Sequence, residues 1–399
     1  MIIPRIHPAE GLIALALLGG IAFVGLVAHL PPHALSAGPM LQNATPDDFT
    51  AVWWQSGRGP AELRVRGSAD AETAFPARRT DDRYETSATG LETGGAYAYE
   101  ILAVAPDGSR QRLASGHART TPLPGFPFSF LMFADSGSGQ PAQSDLANVM
   151  DLYPHDLVLH AGDLLYGRSW SGGNARKFFR PYRNLLRTAP FYPVLGNHDL
   201  KNDGGEFFLN TFSLPANGPA DLPPEHCYWF DYGDARFVGI DSNLDPQTLA
   251  ATVVPWLRDT LAGAERRWKF VCFHHPPWAG GSRPADDKIR EILVPALEAG
   301  GADGVFCGHN HLYERMRPMR NGQAVPASEG VLYVTSGAGG KSLHKERPGP
   351  TANVAKFDDS QFSFTWVRVD ADRVEIEQIG ANDAVLDKVV LERPAGPSA

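Results

Sequence analysis

Five apolar runs in the C-terminal part of the chain stop at groups that bind hard or borderline cations: Asp135, Asp163, Asn197 with His198, His274 with His275, and His309 with His311. Singly, such residues have ordinary uses. An aspartate after a strand can hold a turn or cap a helix, an asparagine can close an Asx-turn, and an isolated histidine usually sits satisfied in a core or on a surface. Together, each at the C-terminal end of a strand, they have the composition of a site for two adjacent cations. A shared carboxylate offsets the repulsion between the ions, and neutral imidazole and amide ligands leave them electrophilic. Asp163 in VLHAGDLLYG suits the bridge, because the apolar Leu157, Val158 and Leu159 carry the chain to a sheet rim and Gly162 lets the backbone approach closely. Tyr166 stands three residues on.

Those runs belong to an alternation of strands and helices that follows the linker TTPLPGFPF. It reads FSFLMFAD (128–135), a helical ANVMDLY, DLVLHAGD (156–163), one amphipathic helix through 175–189, FYPVLGNHD (191–199) and RFVGIDSN (236–243). It continues with a helix through 255–264, KFVCFHHPP (269–277), a helix through 289–300, GVFCGHNH (304–311) and VLYVTSGAGG (331–340). Buried strands alternating with helices make an α/β domain, which the alternating tail from Phe362 to Leu391 closes with antiparallel strands. The weakly patterned stretch from Lys201 to Glu225 is expected to form a surface excursion near the site. From about Pro39 to Pro122, short alternating runs between turn residues predict a small β-sandwich without a cluster of catalytic groups, a packing or positioning module.

Residues 11–30 are apolar except for His29, with Arg5 before them and no Lys or Arg until Arg58, which predicts an inside N-terminus and an exported remainder. Both a signal peptide cleaved near Ala34-Leu35-Ser36 and an uncleaved membrane anchor fit that pattern. The 399-residue chain is 43% hydrophobic and 10% aromatic, the composition of a globular protein. With 36 basic and 45 acidic residues its formal charge is -9, which argues against nucleic acid as a partner but not against a small anion held through metal ions. Cys227, Cys272 and Cys307 form neither a disulfide framework nor a zinc spacing. Cys272 and Cys307 each precede a candidate ligand histidine by two residues and read as small buried filler, with a disulfide the alternative.

The set Asp135, Gly162-Asp163, Gly196-Asn197-His198-Asp199, His274 and Gly308-His309-Asn310-His311 resembles the calcineurin-like metallophosphoesterases, and within them the purple acid phosphatases. Most of that superfamily places a ligand histidine two residues after the first aspartate. Here FADSGSG has Gly137 at that position, and Tyr166 stands at the spacing where purple acid phosphatases hold an iron(III) phenolate. The run from His309 to Arg315 is similar to that family's GHxHxYER stretch, and Leu91 to Tyr97 resembles the tyrosine corner of a fibronectin type III domain, which larger members carry.

The resemblance implies a four-layer αββα sandwich over 123–399, a fibronectin type III-like sandwich over 38–122, and a leader or anchor over 1–37. It puts Asp135, Tyr166 and His311 on a trivalent iron, Asn197, His274 and His309 on a divalent zinc, manganese or iron, and Asp163 between the two. It makes His198 a substrate binder and the proton donor to the leaving group. The implied activity is exported hydrolysis of small phosphomonoesters, with a hydroxide held by the metals as nucleophile. Phosphodiesters are the alternative substrates, and a catalytically inert adhesion protein is the rival from another class. Plant-type members carry further histidines after the HxPW stretch, whereas WAGGSRPADDK (278–288) has none, so the proton falls to His198, His275 or His344. His160 and His275 stay outside the implied ligand set.

Overall fold

Side chains that alternate along the strands of the larger domain separate into two cores, and the separation defines its layers. Phe270 and Cys272 join Phe130, Phe237 and Phe306 in one core, whereas Val271 and Phe273 join Leu257, Leu261, Ile289, Leu293 and Val305 in the other. A computed structural model describes residues 33–68, 71–167, 176–201, 203–281, 283–345 and 353–393. The apolar segment 11–30 lies outside them, and among the described residues no helix is long and apolar enough to cross a membrane.

The first core lies between two sheets, where Phe130 meets Phe237, Phe270 and Phe306 at ring separations of 5.3, 5.7 and 5.8 Å. One sheet runs Phe191–Pro193, Leu157–His160, Phe128–Phe133, Ser363–Val369, Arg373–Gly380, Val385–Glu392; its first three strands are parallel and the tail adds an antiparallel meander. The other runs Tyr228–Tyr232, Ala235–Gly239, Trp268–Cys272, Gly304–Cys307, Leu332–Ser336, Tyr313–Met316, Val354–Asp358, with four parallel strands from Ala235–Gly239 to Leu332–Ser336. The second core is the seam between this sheet and the helices Val254–Ala262, Asp287–Ile292 and Val294–Gly300. On the far face of the first sheet, Phe133 meets Tyr182 at 5.1 Å and the helices Pro141–Met150 and Arg183–Thr188 bury Leu146, Met150, Leu185 and Leu186. Helix, sheet, sheet, helix is the four-layer αββα sandwich.

Two expected helices are each split by a proline. The stretch 175–189 forms Arg176–Phe179 and Arg183–Thr188, with Pro181 between them, and 289–300 forms Asp287–Ile292 and Val294–Gly300, with Pro295 in the second one's first turn. The helix through 255–264 begins earlier, at Pro246–Thr248, where the Asp245 carboxylate accepts from Gln247 and Thr248 N–H before a π-turn over Leu249–Val253. All three cysteines are free and buried. Cys272 faces the core between the sheets and Cys307 the helix seam, so the two point to opposite faces and cannot be bridged.

The N-terminal strands form two four-stranded sheets around Phe49, Trp53, Leu63, Tyr84, Tyr99 and Ile101. The Tyr97 hydroxyl accepts from Glu92 N–H at 2.7 Å, the bond a tyrosine corner makes. The first strand, Leu35–Gln42, starts within the segment expected as a leader. This sandwich braces the outer strand of the larger domain's first sheet. Gln42 donates to Phe191 O (3.2 Å) and accepts from Ser213 N–H (2.7 Å), Ala44 N–H donates to the Tyr192 hydroxyl (3.0 Å), and Tyr99 donates to Arg187 O (2.8 Å). Phe191–Pro193 carries Asn197 and His198 at its tip, so the module buttresses one side of the candidate site and covers a sheet edge.

Candidate metal centre

Loops leaving parallel strands of both sheets bring the candidate side chains together. Asp135, Asp163 and His309 all hold left-handed backbone, with φ of 57°, 56° and 70°, a costly state for residues with a Cβ that the surroundings must enforce. They do so by cross-linking the loops: Asp135 N–H donates to Gly162 O, Ser136 N–H to Asp163 O, and His309 N–H to Asp135 Oδ2 at 2.7 Å. A Cβ at residue 196 would stand 2.1 Å from Asp163 N and 2.3 Å from Asp163 Oδ1, so only glycine lets the Asn197 loop lie this close to Asp163.

Two clusters result, with Asp163 beside both. In one, the Tyr166 hydroxyl is 2.9 Å from both Asp135 Oδ1 and His311 Nε2, and His311 Nε2 is 3.5 Å from Asp135 Oδ1. In the other, Asn197 Oδ1 is 3.1 Å from His274 Nε2 and 3.0 Å from His309 Nδ1, and His274 Nε2 is 3.5 Å from Asp163 Oδ1. Ligand atoms of Asp135, Asp163 and His274 lie within 4.8 Å of one another, as do those of His274, His275 and His309.

The protons of two rings are fixed by carbonyls, which can only accept: His274 Nδ1–H donates to Ala161 O (2.7 Å) and His311 Nδ1–H to Ser342 O (2.8 Å). Burial, then the neighbouring His309, holds His274 far below the usual imidazole range, so its Nε2 is a bare lone pair facing the Asp163 and Asn197 oxygens. At His274 an acceptor faces acceptors, an arrangement that a cation held between them would reconcile. Charge gives the same result. Burial and then the adjacent Asp163 push the Asp135 carboxyl well above its ordinary range, and among the described residues no Lys or Arg pairs with Asp135, Asp163 or Asp199. The phenol and carboxylate of the first cluster are hard donors suited to a trivalent ion, and the amide and imidazoles of the second suit a borderline divalent one.

Residues 128–313 match the family model described as calcineurin-like phosphoesterase. The chain carries a calcineurin-like phosphoesterase domain. Its relatives include tartrate-resistant acid phosphatase type 5 of Homo sapiens, 26% identical over 63% of this chain and 84% of the relative. Purple acid phosphatase 18 of Arabidopsis thaliana is 23% identical over 88% of this chain and 83% of the relative. Among solved structures, purple acid phosphatase PPD1 from yellow lupin superposes with a TM-score of 0.82 at 19% identity, covering 92% of this chain and 76% of that one.

Around the candidate ligands, the phosphoesterase domain uses residues whose part the sequence alone does not disclose. Asp199 is the main one: its Oδ2 accepts from Asp163 N–H and Gly196 N–H, both at 2.9 Å, and its Oδ1 from Leu164 N–H at 3.1 Å, so one buried carboxylate ties the Asp163 loop to the Asn197 loop. The His198 ring lies 4.5 Å from the Tyr166 ring, while the His198 backbone N–H donates to Asp163 Oδ1 at 2.7 Å. His275 Nδ1 meets the Ser242 hydroxyl at 2.8 Å, and its ring stands 4.8 Å from His309. His344 stacks on His311 at 3.8 Å and accepts the His311 backbone N–H through Nδ1. Gly137 explains why no imidazole precedes the tyrosine here. A Cβ at that residue would fall 1.9 Å from Leu164 O, and Gly137 O accepts from Tyr166 N–H, so the loop presenting the phenol rests on the bare glycine backbone.

His160 is fully buried beneath the site, its Nε2 on the Ser136 hydroxyl (2.9 Å) and its Nδ1 without a partner among the described residues. Burial, then His274, pushes this imidazole down to about 3. The unfolded chain takes up a proton near pH 6.5 and the folded chain does not, so stability is complete above 6.5 and drains as pH falls toward 3, by up to about 1.4 kcal/mol per unit. The urea-derived stability gap between the parent and His160→Gln should therefore narrow by about 2–3 kcal/mol between pH 7 and pH 4.5. A gap independent of pH would remove this role for His160.

Proposed function

We propose that the protein is an exported phosphohydrolase that cleaves phosphomonoesters at a pair of metal ions. The observation that carries the reading is the sorting of donors into two clusters about one carboxylate: Asp135, Tyr166 and His311 to hold iron(III), Asn197, His274 and His309 to hold a divalent zinc, manganese or iron, and Asp163 to touch both. The ions, when bound, supply an activated water and neutralise the phosphate oxygens in the transition state. The chain's own groups do the rest. Ala161 O and Ser342 O keep the inward nitrogens of His274 and His311 unprotonated. Asp199 holds the two ligand loops in register before substrate arrives. His198, half-buried beside Tyr166, binds the phosphate and passes a proton to the departing oxygen. The apolar segment 11–30, outside the described residues, is the leader or anchor on which export rests.

Metal analysis with an absorption spectrum tests the site, and kcat/KM on a monoester and a diester tests the substrate. Oxidised iron-loaded protein should absorb in the visible through the Tyr166 phenolate, and Tyr166→Phe should lose that band. A colourless, active, iron-loaded parent would reject the phenolate and favour a divalent pair, and a diester preferred over a monoester would make the protein a phosphodiesterase.

A further inference from the structure

One strand on the rim ends in polar residues that carry no candidate ligand. Ala235–Gly239 runs parallel to Trp268–Cys272, the strand that delivers His274, and continues into the tip Asp241-Ser242-Asn243. Asp241 and Ser242 are buried there. The tip is bolted from behind: Asp241 Oδ1 accepts from Asn243 N–H at 2.9 Å, its Oδ2 lies 2.8 Å from His226 Nδ1, and Lys288 Nζ donates to Ser242 O at 3.0 Å and Leu244 O at 3.2 Å.

From this fixed point two arms reach out. Asn243 Nδ2 donates to Asp241 Oδ1 at 2.8 Å and to Leu195 O at 3.1 Å, and because a carbonyl can only accept, the amide nitrogen is the end that faces Leu195. Leu195 stands two residues before Asn197, with Gly196 between them. Asp199 holds Gly196 N–H from the Asp163 side, so Asn243 is the restraint on the opposite side of the same turn. The other arm is the Ser242 hydroxyl, which accepts from His275 backbone N–H at 3.2 Å and meets His275 Nδ1 at 2.8 Å. His275 follows His274 directly, and its ring lies 4.8 Å from that of His309.

Both arms end beside the cluster of Asn197, His274 and His309. Among the described residues no hydrogen bond joins the tip to Asp135, Tyr166 or His311, which are braced elsewhere: Asp135 O accepts from Lys341 N–H, Tyr166 N–H donates to Gly137 O, and His311 Nδ1–H donates to Ser342 O. We propose that Asn243, through Leu195, and Ser242, through His275, position the ligands of the divalent ion alone. The two halves of the centre are then set by separate supports, joined only where Asp163 and Asp199 lie. The proposal rests on the two-ion reading and assigns this strand tip a task within it. Groups that orient a ligand from behind govern metal affinity without touching the metal.

Full-length protein loaded with iron and zinc decides the matter. In Asn243→Ala and in Ser242→Ala the zinc dissociation constant, measured by chelator competition, should rise about tenfold or more while iron content stays parental. A tip that merely stabilised the domain would shed both ions together. That result, loss of iron alone, or parental zinc affinity in either variant overturns the proposal. If the parent holds no pair of ions, the two-ion reading is what fails. Hydrogen–deuterium exchange of the metal-free proteins then still tests the tip. Exchange should rise over residues 195–199 in Asn243→Ala and over 273–275 in Ser242→Ala, and stay parental over 135–137 and 164–166 in both. Parental exchange throughout, or a rise over all four stretches, rejects the separate support.

Discussion

Asp163→Asn should lower phosphatase turnover about a thousandfold and leave the protein unable to keep two cations. The amide preserves shape and one oxygen, so the 2.7 Å bond from His198 N–H can survive. What it removes is a negative charge that would offset the repulsion between two cations held at the proposed centre. Without metal the sign reverses. Burial and the Asp163 charge already push the Asp135 carboxyl up, so neutralising Asp163 relieves a like-charge contact in a dry site. Chelated Asp163→Asn should therefore unfold at a higher urea concentration than the chelated parent, and at a lower one once both are metal-loaded. Metal content and urea midpoints, each with and without chelator, check both halves. A variant that retains two ions and parental turnover would show that Asp163 does not join the clusters.

The second large effect is expected at a residue that touches no candidate cation. Asp199→Ala strands three buried backbone N–H groups, of Asp163, Leu164 and Gly196. Unmet buried donors cost about 1–3 kcal/mol each. Against this stands the relief of removing a carboxylate whose charged form burial and Asp163 disfavour. Three lost bonds outweigh one relieved repulsion, and the Asp163 loop should slip. Metal affinity and turnover are expected to fall about 10–100-fold, the usual range for removing a group that orients a ligand. Parental metal content in Asp199→Ala would mean the loops are held by packing alone.

How much of this the sequence discloses depends on whether a residue's neighbours in the chain decide its surroundings. Parallel buried strands announce themselves as apolar runs, and polar groups where those runs stop must lie on the sheet rim, so the meeting of Asp135, Asp163, Asn197, His274, His309 and His311 is legible from spacing. The strands Glu72–Pro76 and Arg78–Thr80 are not, because they are almost wholly exposed and carry no alternation. Pro181 and Pro295 were in plain view, yet a pattern that stays amphipathic across a break reads as one helix. Asp199 belongs to a further kind: two of its three partners, Asp163 and Leu164 N–H, come from another loop, and no local pattern separates a loop-tying carboxylate from an ordinary turn residue.

The bare backbone at Gly137 has a consequence for descent. A histidine there would drive its first side-chain carbon into the carbonyl beneath the tyrosine's loop, so the imidazole-bearing and phenol-bearing forms of this centre cannot be interchanged by one replacement. A lineage would have to move the loop and give up the tyrosine in the same step, passing through a centre short of a donor. The ligand choice proposed for Tyr166 would thus be guarded by main-chain sterics, which act before any preference of the metal.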